Sequence, residues 1–299
     1  MNNNMTALIS SFARLYHTKN NNVKIYDDIY AEKIINEQEY NMISENMTNG
    51  IKFFNPNYNG NNPLMWIVNN NLAPSVLARS AFSEKHLLNA IQSGLKQYVI
   101  LASGYDTSAF KFNDKLKVLE LDKKEMIEDK LCRITSTDLD TSNITYIKTD
   151  FNNDWIQDLT ETEYDSKSIT FCSMLGISYY LDKEIFKNTI KQLSAVIPKG
   201  SVIVFDYPND SETNKESINR ELASGANEQM KSVYAYDDIA EIAEEANMSV
   251  YEHLNHSDID NTYFYDYNRL NFEDRVVAPI GVDYVILLKN DIRYRKGEK

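Results

Sequence analysis

The sequence predicts an α/β protein built on a mostly parallel sheet, with a helical segment ahead of it. Three observations carry this. From Gln97 onward, short apolar runs rich in β-branched residues alternate with helix-like stretches, the rhythm of a parallel sheet covered on both faces. Before that point apolar residues recur at intervals of three and four instead. The chain's 299 residues, 42% hydrophobic with few Gly or Pro, suffice for one large core or a core with a substantial extension.

In chain order, Leu8, Ile9, Phe12, Leu15 and Tyr16 share one helical face, and Ile29, Tyr30, Lys33 and Ile34 repeat the pattern more weakly. Polar breaks at 20–22 and 55–60 separate these segments. Residues 1–95 therefore read as a helical N-terminal cap or lid, and residues 96–299 as the main domain. The apolar runs of that domain are 98–102, 117–121, 144–147, 168–172, 201–205 and 284–288, with 248–254 as a seventh strand. Lys183–Val196, closed by Pro198-Lys199-Gly200, reads as a helix, as does 236–246, which opens on Asp237-Asp238. The whole is a Rossmann-like, seven-stranded, mostly parallel sheet with helices on both faces and a helical N-terminal cap.

In such sheets ligands bind beyond the carboxyl ends of the strands, where the strand order reverses, and three of those ends carry suggestive residues. After the first strand come Ala102-Ser103-Gly104-Tyr105-Asp106, where Gly104 permits positive φ and a close ligand. Asp122 ends the second strand about twenty residues on, the spacing at which a carboxylate accepts both hydroxyls of a ribose. Asp150 and Phe151 follow the third, an acid and an aromatic suited to the edge and face of adenine. A lone glycine turn or strand-end acid is as often structural, a turn or an N-cap; in order and at this spacing the three point to a nucleoside-containing cofactor. A dinucleotide fits less well, because G-x-G-x-x-G would need glycine at 102, 104 and 107 where the chain has Ala, Gly and Thr. The chain has no P-loop motif either. S-adenosylmethionine, adenosine plus an amino acid without phosphate, fits these residues.

Charge and cysteine content narrow the partners. A net charge of −13 opposes a nucleic-acid backbone as partner. Two cysteines, Cys132 and Cys172, imply no disulfide framework and read as buried small hydrophobes. The first residues lack the basic and apolar regions of a secretory signal, and no apolar run reaches the roughly 18 residues of a membrane span. A cytoplasmic protein without a membrane partner is expected, and the sequence sets no oligomeric state.

Six segments, IYDDIYAEKII (25–35), LARSAF (77–82), QYVILASGYDTSAF (97–110), VLELDKKEMIEDK (118–130), IKTDFNNDW (147–155) and GISYYL (176–181), occur in the order found in the leucine carboxyl methyltransferase family. The chain resembles the bacterial O-methyltransferase branch of that family, within the class I S-adenosylmethionine-dependent methyltransferases. The resemblance implies a sheet whose last strands form an antiparallel hairpin, and a helical cap over the active site. It makes residues 96–299 an S-adenosylmethionine-binding methyltransferase domain. By motif, it implies that Arg79 meets the methionine carboxylate of S-adenosylmethionine and that Gly104 lines its amino-acid end, with Ala102, Ser103 and Asp106 also counted among the cofactor-binding residues. Asp122 then holds the ribose, and Asp150 with Phe151 the adenine. Two departures stand out: Ala102-Ser103-Gly104 replaces a glycine-alanine-glycine turn, and Leu175 stands where the family's E-G-x-x-x-Y-L motif begins with an acid.

The function implied is S-adenosylmethionine-dependent O-methylation of a carboxyl or hydroxyl group on a small-molecule acceptor. The alternatives are methylation of a protein C-terminal carboxylate, as in the eukaryotic members, and a non-catalytic cofactor-binding protein, suggested by Leu175. A carboxylate acceptor needs no general base, whereas a hydroxyl does. Arg14, Tyr16 and His17 on the first helix are the catalytic candidates, against the bland reading of structural side chains. His253 and His256 suggest a metal pair, but no third ligand accompanies them, so no metal is expected. Tyr263, Phe264, Tyr265 and Tyr267 read as core or cap packing, and Glu241, Glu244 and Glu245 as a solvated helix face.

Overall fold

The structure, a computed structural model, describes residues 5–210, 229–272 and 274–290. Among the described residues six α-helices precede the first strand: α1 (Met5–Asn20), α2 (Ala31–Ile34), α3 (Glu37–Asn49), α4 (Ile51–Phe54), α5 (Pro63–Ile67) and α6 (Ala73–Gln92). Their starts follow local chemistry. Asn36 and Glu39 form a reciprocal capping box at α3, and Asn62 caps α5, where Pro63 occupies the first turn. A π-helical turn, Val68–Leu72, joins α5 to α6. The weak repeat at Ile29 to Ile34 yields only the single turn α2, and Ile29 is exposed. The entry to that turn is held by Asp28, which receives the Ala31 N–H while its own N–H donates to Thr18.

Seven strands follow: β1 (Gln97–Leu101), β2 (Lys117–Asp122), β3 (Ile144–Lys148), β4 (Thr170–Met174), β5 (Val202–Pro208), β6 (Met248–Leu254) and β7 (Val282–Lys289). Their order is β3-β2-β1-β4-β5-β7-β6, with the first five strands parallel and β7 antiparallel to both β5 and β6. The β6–β7 pair is linked by residues 255–281, which include further helical turns, so it is not a tight hairpin. The fourth strand starts two residues later than the apolar run suggests. Ser168 donates to Asp165 in the preceding turn, and Ile169 lies exposed outside the ladder.

Between the strands lie α7 (Ser108–Phe112), α8 (Lys124–Ile134), α9 (Ile156–Thr160), α10 (Lys183–Val196) and the helix Tyr236–Glu245. On one face of the sheet α1 to α3, α5, α6, α7 and α8 share a continuous apolar core with Tyr98, Ile100, Val118, Val204, Tyr284 and Ile286. On the other face Val99, Leu101, Leu119, Phe205 and Leu287 pack with α9, α10 and Tyr236–Glu245. Phe264 and Tyr267 are buried while Tyr265 is exposed, and Glu245 pairs with Lys187 and Lys191. Cys172 is buried in β4, but Cys132 is exposed on α8, so only one of the two thiols packs as a small hydrophobe. No helix among the described residues is long and apolar enough to cross a membrane.

Candidate cofactor site

β1 and β4 are neighbours in the sheet although β2 and β3 lie between them in sequence, so the strand order reverses at this pair. The register sets Leu101 beside Leu121 and Asp122 beside Lys148, which brings the ends of β1, β2 and β3 together. The Gly104 N–H donates to Asp122 Oδ2 at 2.7 Å, and the Lys123 N–H to Asp122 Oδ1 at 2.7 Å. Each oxygen keeps a lone pair for a further donor. Burial pushes the Asp122 carboxyl above the usual carboxylate range, against the opposing pull of these two N–H groups.

The turn after β1 is left-handed at two residues, Ala102 (φ +51°) and Gly104 (φ +49°). The cost of alanine in place of glycine at 102 is thus backbone strain, about 1–2 kcal/mol for a side chain in this region. Beneath the turn, Lys130 from α8 donates to Glu120 Oε2 at 2.5 Å and to the Asp106 carbonyl at 2.6 Å, both side chains being fully buried. Asp106 Oδ1 accepts the Ser108 N–H at 2.7 Å at the start of α7. Ser103 is buried, its N–H bonded to the Leu121 carbonyl.

Asp150 lies exposed at the end of β3, its carboxylate accepting from the Asn152 N–H and from the Asn152 and Asn153 amides. The Asn152 hydrogen bonds pull its carboxyl below the usual range. Phe151 turns inward against Trp155, ring centroids 5.2 Å apart, and is 9% exposed, so most of the ring is engaged in packing.

The side formed by α1 and α6 is assembled differently. Arg79, from α6, directs Nη1 to Asp206 Oδ2 at 3.3 Å beside the turn that follows β4. A β-carbon on Gly176 would come within 2.7 Å of that guanidinium and displace it, and Gly176 has φ +74°, a conformation that favours glycine. Leu175 lines a narrow cleft with Arg14, Tyr26, Ser80, Glu84 and Asp106.

Arg14, Tyr16 and His17 are all buried on α1. Arg14 Nε donates to Asp28 at 2.7 Å and Nη2 to the Tyr105 carbonyl at 2.7 Å; Thr107 completes the cluster by donating to Asp28 at 2.6 Å. The Arg14 guanidinium thus ties α1 to the β1 turn. His17 Nε2 accepts the Ile25 N–H at 2.9 Å, which places the proton of the neutral ring on Nδ1. Burial, with a smaller effect from Lys24, lowers its pKa to about 4. Burial also raises Tyr16 to about 12, keeping the phenol protonated at neutral pH.

The sequence reading overlooked Asp28 and Asp206. Asp206 could have been found by the rule applied to Asp122: an acid directly after an apolar strand run, here the run 201–205. Asp28 carries no comparable mark, since its partners come from α1 and from the β1 turn. His253 bonds to Tyr207 and Asp283 at the edge of the sheet, and no group of three or more metal-ligating side chains occurs among the described residues.

The chain is similar to several known proteins. YktD of Bacillus subtilis (strain 168), classed by its name among the S-adenosyl-L-methionine-dependent methyltransferases, is 35% identical over 95% of this chain and 97% of its own. A Mycobacterium tuberculosis protein of the same naming, Rv0830, is 30% identical over 47% of this chain and 48% of its own. A DUF574 family protein from Streptomyces avermitilis shares the fold, with a TM-score of 0.58 at 11% identity over 93% of this chain and 97% of that one. The family model for leucine carboxyl methyltransferase matches residues 7–194, which span α1, Arg79, the β1 turn, Asp122 and Leu175. The chain belongs to the leucine carboxyl methyltransferase family of S-adenosylmethionine-dependent methyltransferases.

Proposed function

We propose that this protein transfers the methyl group of S-adenosylmethionine to an oxygen of a small-molecule acceptor, a carboxylate before a hydroxyl. The observation that carries the cofactor site is the Gly104–Asp122 hydrogen bond, which joins the glycine turn and the β2 acid where the strand order reverses. The residues present fit the group: Asp122 retains acceptor capacity for ribose hydroxyls, and Arg79 retains N–H donors for a carboxylate. The sulfonium supplies an activated methyl, so the protein's work is alignment and exclusion of water.

In this reading Asp122 orients the ribose, Arg79 the amino-acid end, and α1 with α6 shields the reaction from solvent. A carboxylate acceptor is favoured because it is already deprotonated at neutral pH. Of the three candidate groups on α1, Tyr16 stays protonated, His17 is committed to Ile25 and Arg14 holds the β1 turn. S-adenosylhomocysteine release measured against panels of carboxylic acids and alcohols tests this directly. Base-labile methyl products are expected, since esters hydrolyse and ethers do not. Base-stable products would move the assignment to hydroxyl groups, and transfer only to nitrogen, sulfur or carbon would overturn it.

A further inference from the structure

We infer that Asp206 is a positioning residue, orienting Arg79 for the amino-acid end of the cofactor. The inference rests on the site reading above, in which Arg79 meets that end. Asp206, near the end of β5, is fully buried, and its carboxylate gathers three donors from two directions. The Gly176 N–H reaches Oδ1 at 2.6 Å, while the Tyr179 hydroxyl at 2.9 Å and Arg79 Nη1 at 3.3 Å reach Oδ2. Its carbonyl accepts the Ser178 hydroxyl at 2.7 Å, which fixes the strand end to the same turn.

A guanidinium with a side chain only 16% exposed is costly to hold without a counter-charge. Leu175 supplies none, although it occupies the head of the turn that Arg79 faces. Asp206 provides that charge from the neighbouring strand. It engages one edge of the guanidinium, and an arginine has five N–H donors in a fixed fork, so the remainder stays available to a carboxylate. Gly176 leaves the guanidinium room to lie flat against the β4 turn. Asp206, Tyr179 and Gly176 together fix the direction of the fork without blocking it.

The test compares two ligands on the full-length protein by calorimetry: S-adenosylhomocysteine, which has the amino-acid end, and 5′-methylthioadenosine, which lacks it. Asp206→Asn should weaken S-adenosylhomocysteine roughly tenfold or more, the loss expected for a charge-assisted interaction, and leave methylthioadenosine within about twofold. Tyr179→Phe, which removes one of the three donors with little risk to folding, should show the same selectivity at about threefold. Parallel loss of both ligands, or unchanged S-adenosylhomocysteine affinity, would overturn the inference, and Tyr179→Phe decides alone if Asp206→Asn does not fold. Arg79→Ala separates the binding role of Arg79 from the positioning role of Asp206. If it leaves S-adenosylhomocysteine binding intact the site reading itself falls; if it weakens binding while Asp206→Asn does not, only the positioning role falls.

Discussion

The two halves of the site are built on different principles. At the ends of β1 to β3 the polar groups are held by backbone N–H donors of adjacent turns, as with Asp122 and the N–H groups of Gly104 and Lys123. On the side of α1 and α6 they are held by side chains distant in sequence, as with Arg79 and Asp206 or Arg14 and the Tyr105 carbonyl. Local turns make a site that can lose a ligand contact and keep its shape. Long-range packing makes one whose shape is the same thing as the stability of the fold.

Substitutions should therefore separate the halves, and the largest effect belongs to α1. Phe12, fully buried in α1, should cost about 3–5 kcal/mol of stability when changed to Ala, measured by chemical denaturation. A loss under 1 kcal/mol would mean that α1 is a loosely attached flap and that the contrast fails. His17 gives the second test. Its pKa, about 4 in the fold against 6.5 unperturbed, means that the unfolded chain takes up the proton first as pH falls. The neutral ring's stabilising contribution is full above pH 6.5 and is lost as pH falls toward about 4, a total of about 3 kcal/mol. His17→Gln should flatten that acid limb, and an unchanged limb would show that other groups set it.

The strand-end half predicts the opposite balance. Asp122→Ala should weaken cofactor binding by about 1.5–3 kcal/mol, roughly 10- to 150-fold, while the melting temperature moves little. Equal damage to stability and affinity would erase the distinction between the halves. The smallest effect is expected at Ala102, whose φ of +51° is strained for alanine. Ala102→Gly should stabilise by about 0.5–1 kcal/mol, the relief of strain less the greater backbone freedom of glycine in the unfolded chain.

The same contrast explains what could be read in advance. The sheet was legible because each strand is a short β-branched run with its own boundaries, and α10 was placed to the residue because Pro198-Lys199-Gly200 closes it. The approach of Asp122 to the β1 turn was legible because strand, turn and acid keep a fixed spacing along the chain. The Arg79–Asp206 pair was not, since 127 residues separate the partners and no local pattern joins them. Even on a correctly placed helix, exposure can escape a one-dimensional reading: Cys132 lies on the outward side of α8.

Arg14 couples two parts of the molecule that chain order keeps apart. Because its guanidinium ends on the Tyr105 carbonyl and on Asp28, which Thr107 also reaches, opening α1 breaks some of the contacts that hold the β1 turn. Free energies linked in this way act in both directions, so a ligand that orders the turn must also raise the cost of opening the helix. The amide protons of α1 become a remote gauge of occupancy. Their hydrogen exchange should slow when S-adenosylhomocysteine binds, and replacing Arg14 should disconnect the gauge from the site it reports.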